Sequence, residues 1–233
     1  MNLDNFILEC NKLGIEINED QIKKLDKYHE LLVEYNKVMN LTGITEKEEV
    51  YLKHFYDSLT IVKTVNLKEE TSLCDIGTGA GFPGLVIKII FPNLKVTLLD
   101  SLNKRVEFLK VVIADLKLDD IEVIHARAEE YALKNRNKFD ITTARAVAHL
   151  SILLEYAIPM TKENKYFIAL KANVNEELME INNALVKLNT SLIKKEEFDL
   201  PIEKSKRTIV IFKKIKDNIK FPRKNSEIKK NRL

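Results

Sequence analysis

Residues 72–84 read Ser-Leu-Cys-Asp-Ile-Gly-Thr-Gly-Ala-Gly-Phe-Pro-Gly, and no other stretch restricts the fold as tightly. Leu73 to Ile76 have the apolar character of a buried strand end. Gly77, Gly79 and Gly81 follow at alternate positions, where missing Cβ atoms permit a tight turn and a close approach to the backbone. Pro83 suits the first turn of a helix running over Leu85–Phe91, since its absent N–H costs nothing there. Such a strand-to-helix turn points free N–H groups and the positive helix end at a ligand. The next strand, 95–99, ends at Asp100, about 20 residues on, where a carboxylate accepts from ribose hydroxyls. The pattern is that of a nucleoside-binding half-fold.

Around this turn the chain alternates strands and helices. Strands are expected at 71–76, 95–99, 121–125, 139–143 and 165–170, with helices at 83–91, 103–117, 149–158 (stopping at Pro159) and 175–188. Two closing strands, 192–198 and 207–213, are separated by little more than Pro201 and predict an antiparallel hairpin at the sheet edge. The fold class is α/β, a mostly parallel sheet of about seven strands. Ahead of it, residues 1–65 are helical. Asn18 is placed to cap a helix carrying Leu25, Tyr28, Leu32 and Tyr35 on one face. Thr45-Glu46-Lys47-Glu48 resembles a capping box. His54 and Asp57, three apart, either share a helix face or fix a helix boundary. The expected organisation is a helical cap (1–65), a catalytic core (66–216) and a basic C-terminal tail (217–233).

Cys10 and Cys74 give neither a disulfide framework nor a metal-ligand spacing, which fits a reducing cytoplasm and no bound metal. Asp4 and Glu9, with no small-residue cleavage signal, argue against a secretory leader, and no apolar run approaches membrane-span length. The chain nets +3, yet residues 204–233 hold 12 Lys and Arg against two acids, so the rest is net acidic. That asymmetry is either a polyanion contact or a solvated tail.

In an open α/β sheet the ligand lies over the carboxyl ends of the strands. Those ends carry Gly77–Gly81, Asp100-Ser101, Ala128-Glu129, Arg145 and Lys171. Two carboxylates suit a ribose and an adenine amino group. The turn is G-x-G-x-G and no second glycine turn exists, which disfavours a dinucleotide and with it a nicotinamide oxidoreductase. A nucleoside without a pyrophosphate points to S-adenosylmethionine and hence to methyl transfer. No Asp/Asn-Pro-Pro-aromatic turn follows 139–143, and no cysteine lies near the later strands, so exocyclic amines and pyrimidine carbon five are disfavoured targets. A purine ring nitrogen, a hydroxyl or a small-molecule amine remains. Arg145 and Lys171 sit where such a substrate enters, as free cations or in ion pairs that stitch the sheet edge.

Asn40-Leu41-Thr42, His54–Leu59, Asp75–Gly84, Leu99–Arg105, Ala128-Glu129, Ala144-Arg145-Ala146, Ala169-Leu170-Lys171 and Phe221-Pro222-Arg223-Lys224 together resemble the ribosomal RNA small subunit methyltransferase G family, also called glucose-inhibited division protein B. The resemblance spans nearly the whole chain. It implies a Rossmann-like class I S-adenosylmethionine-dependent methyltransferase, acting in the cytoplasm on N7 of one guanine in 16S ribosomal RNA or the small ribosomal subunit; a monomer is expected. It also implies cofactor contacts from Gly77, Phe82, Asp100, Ala128, Glu129 and Arg145, to which the strand-end positions of Gly79 and Ser101 add two more expected contacts. Arg145 and Lys171 would then serve catalysis, with Lys171, Arg207 and Arg223 facing RNA. Family tails of this length continue with Gly and Pro; Asn225-Ser226-Glu227-Ile228 stand here instead.

Overall fold

A computed structural model describes residues 1–233. Its first 65 residues are helical, as their pattern predicts. Helix α1 (Leu3–Lys12) is capped by Asn2, whose side chain accepts from the Asn5 N–H. Helix α2 (Glu19–Met39) opens on a reciprocal capping box between Asn18 and Gln21. The Gln21 amide also donates to the Ile89 and Ile90 carbonyls at 3.3 and 3.0 Å, so the same residue fastens the cap to the core. Asn40, in the left-handed region at φ 51°, stops α2. The expected capping box at Thr45–Glu48 is not formed: Glu46 occupies the cap position without a side-chain bond, and Thr45 offers its carbonyl to His29 instead.

Lys47–Lys63 form one winding segment. It runs through α3 (Lys47–Val50), a π-helical turn over Tyr51–Tyr56, α4 (Asp57–Leu59) and a 3₁₀ turn over Thr60–Lys63. Insertions of this kind rotate the side chains that follow, and they concentrate at functional sites.

The core follows in alternation: β1 (Ser72–Ile76), α5 (Gly84–Ile90), β2 (Lys95–Asp100), α6 (Asn103–Asp115), β3 (Ile121–His125), α7 (Ala128–Lys134), β4 (Phe139–Arg145), α8 (Leu150–Met160) and β5 (Thr161–Lys171). Then come α9 (Asn175–Glu180), α10 (Asn182–Lys187), β6 (Thr190–Asp199), β7 (Lys206–Lys214) and α11 (Asn225–Lys230). The seven strands lie in the order β3-β2-β1-β4-β5-β7-β6. β1 to β5 pair in parallel, while β7 runs antiparallel to β5 and β6 antiparallel to β7. The expected sheet and edge hairpin are both present.

Three elements differ from expectation. Helix α8 continues through Pro159 to Met160, because the last turn can spare one backbone bond; the Pro159 carbonyl is taken by the Asn137 N–H and the Lys214 amine. The single helix expected over 175–188 is broken at Ile181, which is buried between α9 and α10. β5 starts four residues earlier than its apolar pattern, since Thr161 pairs with Phe139.

Alternate strand residues face opposite layers. Leu73, Val96, Leu98 and Ile168 join Tyr28, Phe55 and α5 on one side; Cys74, Ile76, Phe167 and Val210 join α8 on the other. Burial pushes the thiols of Cys10 and Cys74 upward, the former to about 12, as expected of inert apolar cysteines. The C-terminal segment, though largely exposed, is anchored at several points. Phe221, Ile228 and Leu233 are buried, and Arg136 binds Asp217 through two nitrogens at 2.8 and 2.9 Å.

Candidate functional site

The strand order reverses at β1, which has β2 on one side and β4 on the other. The carboxyl ends of these strands therefore part into a crevice. At its centre Gly77, Gly79 and Gly81 all have positive φ (67°, 63° and 108°). Asp75 ties the turn down: its Oδ2 accepts from the Thr78 hydroxyl at 2.6 Å and the Gly84 N–H at 2.8 Å. Complete burial pushes its carboxyl up to about 6, against those two bonds. A Cβ on Gly84 would lie 2.5 Å from Leu98 and 2.8 Å from Asp75, so this glycine serves packing; a Cβ on Gly79 would meet open space.

Two adjoining cavities open along the strand tips. The larger, about 630 Å³, reaches from Gly79, Phe82 and Arg145 to Lys171, Phe198 and Arg207. The smaller, about 150 Å³, is bounded by Ala128, Glu129, Tyr156 and Asn225. Gly77, Asp100, Ser101 and Val147 line both, so the two form one elongated trough. Asp100, at the tip of β2, accepts from the Gly79 and Leu102 N–H groups, each at 2.9 Å, and from Arg105 at 3.3 Å. Glu129 is 6 % exposed and its Oε1 has no partner, a costly arrangement for a carboxylate unless a ligand donor supplies one. Every residue expected to touch the cofactor lines one of the cavities.

Arg145 ends β4 inside a cluster built by the cap. Its guanidinium donates to the Lys53 carbonyl at 2.9 Å and to Asp57 at 3.2 Å, and lies 5.1 Å from the Phe82 ring centre. His54 stacks on Phe82 with ring centres 4.3 Å apart, and its Nδ1 is 3.2 Å from Arg145. That Nδ1 also lies 3.1 Å from the Lys53 carbonyl, which only accepts, while Nε2 pairs with the Thr42 hydroxyl at 2.9 Å, so the one proton of the neutral ring has a partner at either nitrogen. Burial and the neighbouring Arg145 charge hold His54 down to about 3, so it is neutral. The second Asp57 oxygen accepts from Arg207 at 3.0 Å.

The other expected cations are paired as well. Lys171 faces the larger cavity, but its amine contacts both Glu177 oxygens, at 2.7 and 2.6 Å, and the Ala148 carbonyl. Arg223 lies outside both cavities: its guanidinium bridges both oxygens of Glu155 at 2.8 Å, and that carboxylate is wholly buried. The guanidinium expected to face RNA is thus committed to fastening the C-terminal segment, because Glu155 has no other cation. Sequence reasoning missed Thr42, His54 and Asp57 as site residues, and Tyr156, Asn225 and Lys229 as cavity walls. His54-x-x-Asp57 was the available signal, visible only as a helix feature. No group of three or more His, Cys, Asp or Glu is arranged to hold a metal ion.

A doubly wound sheet finished by an antiparallel hairpin, with acids at the tips of β2 and after β3, defines the class I methyltransferase type of Rossmann-like fold. A solved S-adenosylmethionine-dependent methyltransferase from Aquifex aeolicus matches it with a TM-score of 0.55 at 19% identity, over 73% of this chain and 94% of that one. The rRNA small subunit methyltransferase G family profile matches residues 21–210. Ribosomal RNA small subunit methyltransferase G of Lysinibacillus sphaericus is 48% identical over 228 residues, 96% of each chain. That of Lactobacillus helveticus is 47% identical over 229 residues, 96% of this chain and 95% of its own. This chain belongs to the rRNA small subunit methyltransferase G family.

Proposed function

We propose that this protein transfers a methyl group from S-adenosylmethionine to N7 of a guanine in 16S ribosomal RNA, as a monomer in the cytoplasm, on the RNA or the small subunit. No helix is long and apolar enough to cross a membrane. The observation that carries the reading is the pair of carboxylates Asp100 and Glu129 on one trough, the second with a buried oxygen awaiting a donor. Asp100 suits ribose hydroxyls, Glu129 the adenine amino group, and Ala128 and Ser101 the flanking walls. Gly79 lets the ligand approach the backbone without Cβ interference, whereas a Cβ on Gly77 would lie 2.8 Å from Val147. When bound, the cofactor supplies an electrophilic methyl on a sulfonium.

The residues around the larger cavity suit a target that needs no deprotonation. His54 is neutral with its one proton engaged, Arg145 only donates, and Lys171 is held by Glu177. None is a free base. Guanine N7 already offers a lone pair, so alignment alone supports the reaction, an effect reaching about 7–11 kcal/mol in well-oriented systems. Arg145 and Phe82 border the reacting end, while Lys171 and Arg207 face the incoming RNA.

The test uses 16S RNA and small subunits from cells lacking this protein, incubated with labelled S-adenosylmethionine. One labelled guanine, with the N7-methyl signature, is expected; no label, or label on another atom, refutes the reading. Asp100→Ala should weaken S-adenosylhomocysteine binding by calorimetry far more than RNA binding.

A further inference from the structure

We infer that the C-terminal segment, residues 217–233, is a wall of the cofactor site. The inference rests on the cofactor reading above and extends it to a part of the chain whose composition suggests a polyanion contact or a solvated tail. Tyr156 of α8 and Asn225 and Lys229 of α11 line the smaller cavity, opposite Ala128 and Glu129. Their contribution is therefore made at the end of the trough assigned to adenine, next to the carboxylate whose Oε1 lacks a partner.

Four contacts fix the segment in this position. Asp217 bridges Arg136 and Lys214. Arg223 grips Glu155, the residue before Tyr156, with its N–H and its guanidinium. The Tyr156 hydroxyl meets Asn225 Oδ1 at 3.2 Å. Ile228, one residue before Lys229, is buried, and Leu233 joins the α8 layer. The anchors hold α8 and α11 together, and residues of both border the cavity that Ala128 and Glu129 of α7 also line. Nothing in the fold requires the Lys229 side chain there: it is exposed and its amine makes no hydrogen bond or ion pair. A segment that closes a cavity is coupled to what fills it, and the coupling is reciprocal. Bound nucleoside should hold α11 in place, and loss of α11 should loosen the nucleoside.

Calorimetry with S-adenosylhomocysteine on the full chain and on a chain ending at Lys224 tests the first half. Truncation should weaken binding at least tenfold while thermal unfolding without ligand stays cooperative. Equal affinity in the two folded chains overturns the inference. Absence of binding to the full chain overturns the cofactor reading instead, so the two failures are distinct. Trypsin digestion of the full chain tests the second half and does not depend on the truncated chain folding. Cleavage after Lys229 and Lys230 should slow at least threefold with saturating S-adenosylhomocysteine, and an unchanged rate overturns the coupling.

Discussion

The carboxylate of Asp57, in the helical cap, lies 3.2 Å from the guanidinium of Arg145 at the tip of β4. Its other oxygen holds Arg207 of β7 at 3.0 Å. One acid thus keeps two cations at the mouth of the trough apart and oriented. Both partners are largely buried, and removing one member of such a pair leaves an uncompensated charge. Asp57→Asn keeps an acceptor but loses the charge. It should lower stability by about 2 kcal/mol and turnover about tenfold, with KM for cofactor changed much less than kcat. Urea unfolding and initial rates check this; wild-type values for both would remove Asp57 from any positioning role.

The glycines of the first turn should separate by function. Gly84 is enclosed, so Gly84→Ala forces Leu98 and Asp75 aside and should cost about 1–3 kcal/mol by overpacking. At Gly79 an added methyl meets empty space and only its φ of 63° is strained, at about 1–2 kcal/mol. Gly79→Ala should therefore fold yet lose most S-adenosylhomocysteine affinity, because its methyl projects into unfilled space beside Asp100. Melting temperature and calorimetry on both variants give the comparison, and equal loss of affinity per unit of lost stability would contradict it.

Strand order, hairpin and glycine turn were legible because each is written in local sequence: apolar runs of strand length, glycines at fixed offsets, an acid at the next strand end. The trough's cationic half was not. Arg145 meets residues 88 to 92 positions away, and Arg223 meets one 68 positions away. No periodicity encodes such pairings; only the path of the cap over the sheet and of the tail over α8 creates them. The alternative that Arg145 and Lys171 stitch ion pairs had the right chemistry without the partners. The tail misled for a related reason. Its six cations dominate the composition, while Phe221, Ile228 and Leu233, too sparse to show a period, decide where it packs.

RNA affinity should separate the exposed from the committed cations. Lys206 is 88% exposed beside Arg207, and Glu203 pairs with Lys53 at the cleft, which puts this loop at the trough's rim. Each exposed cation engaging a phosphate contributes about −0.7 to the slope of log affinity against log salt. Lys206→Ala should flatten that slope by about this amount. Arg223→Met should leave it unchanged while lowering stability by about 3 kcal/mol, through the stranded charge of Glu155. Filter binding across a salt series and urea unfolding read the two effects, and a flattened slope for Arg223→Met would return that residue to the RNA surface.

His54 and Asp75 impose opposite pH dependences on the fold. Below pH 6.5 an unfolded chain protonates its histidine, whereas the folded chain keeps His54 neutral down to about 3, so this residue makes the protein less stable as pH falls through that window. Asp75 is held up to about 6, so the folded chain retains a proton that the unfolded chain has released above 3.8. Its contribution is therefore lost as pH rises from 3.8 through 6. His54→Gln removes one slope and leaves the other. The stability difference between the wild type and this variant should shift against the wild type on acidification from pH 7 to pH 4, by up to about 1.4 kcal/mol per unit below 6.5. Urea unfolding at pH 4, 5, 6 and 7 gives the difference directly, with all other titrating groups cancelling. A difference constant with pH would mean that His54 is protonated as freely in the folded chain as in the unfolded one, and that the Phe82 stack does not shield it.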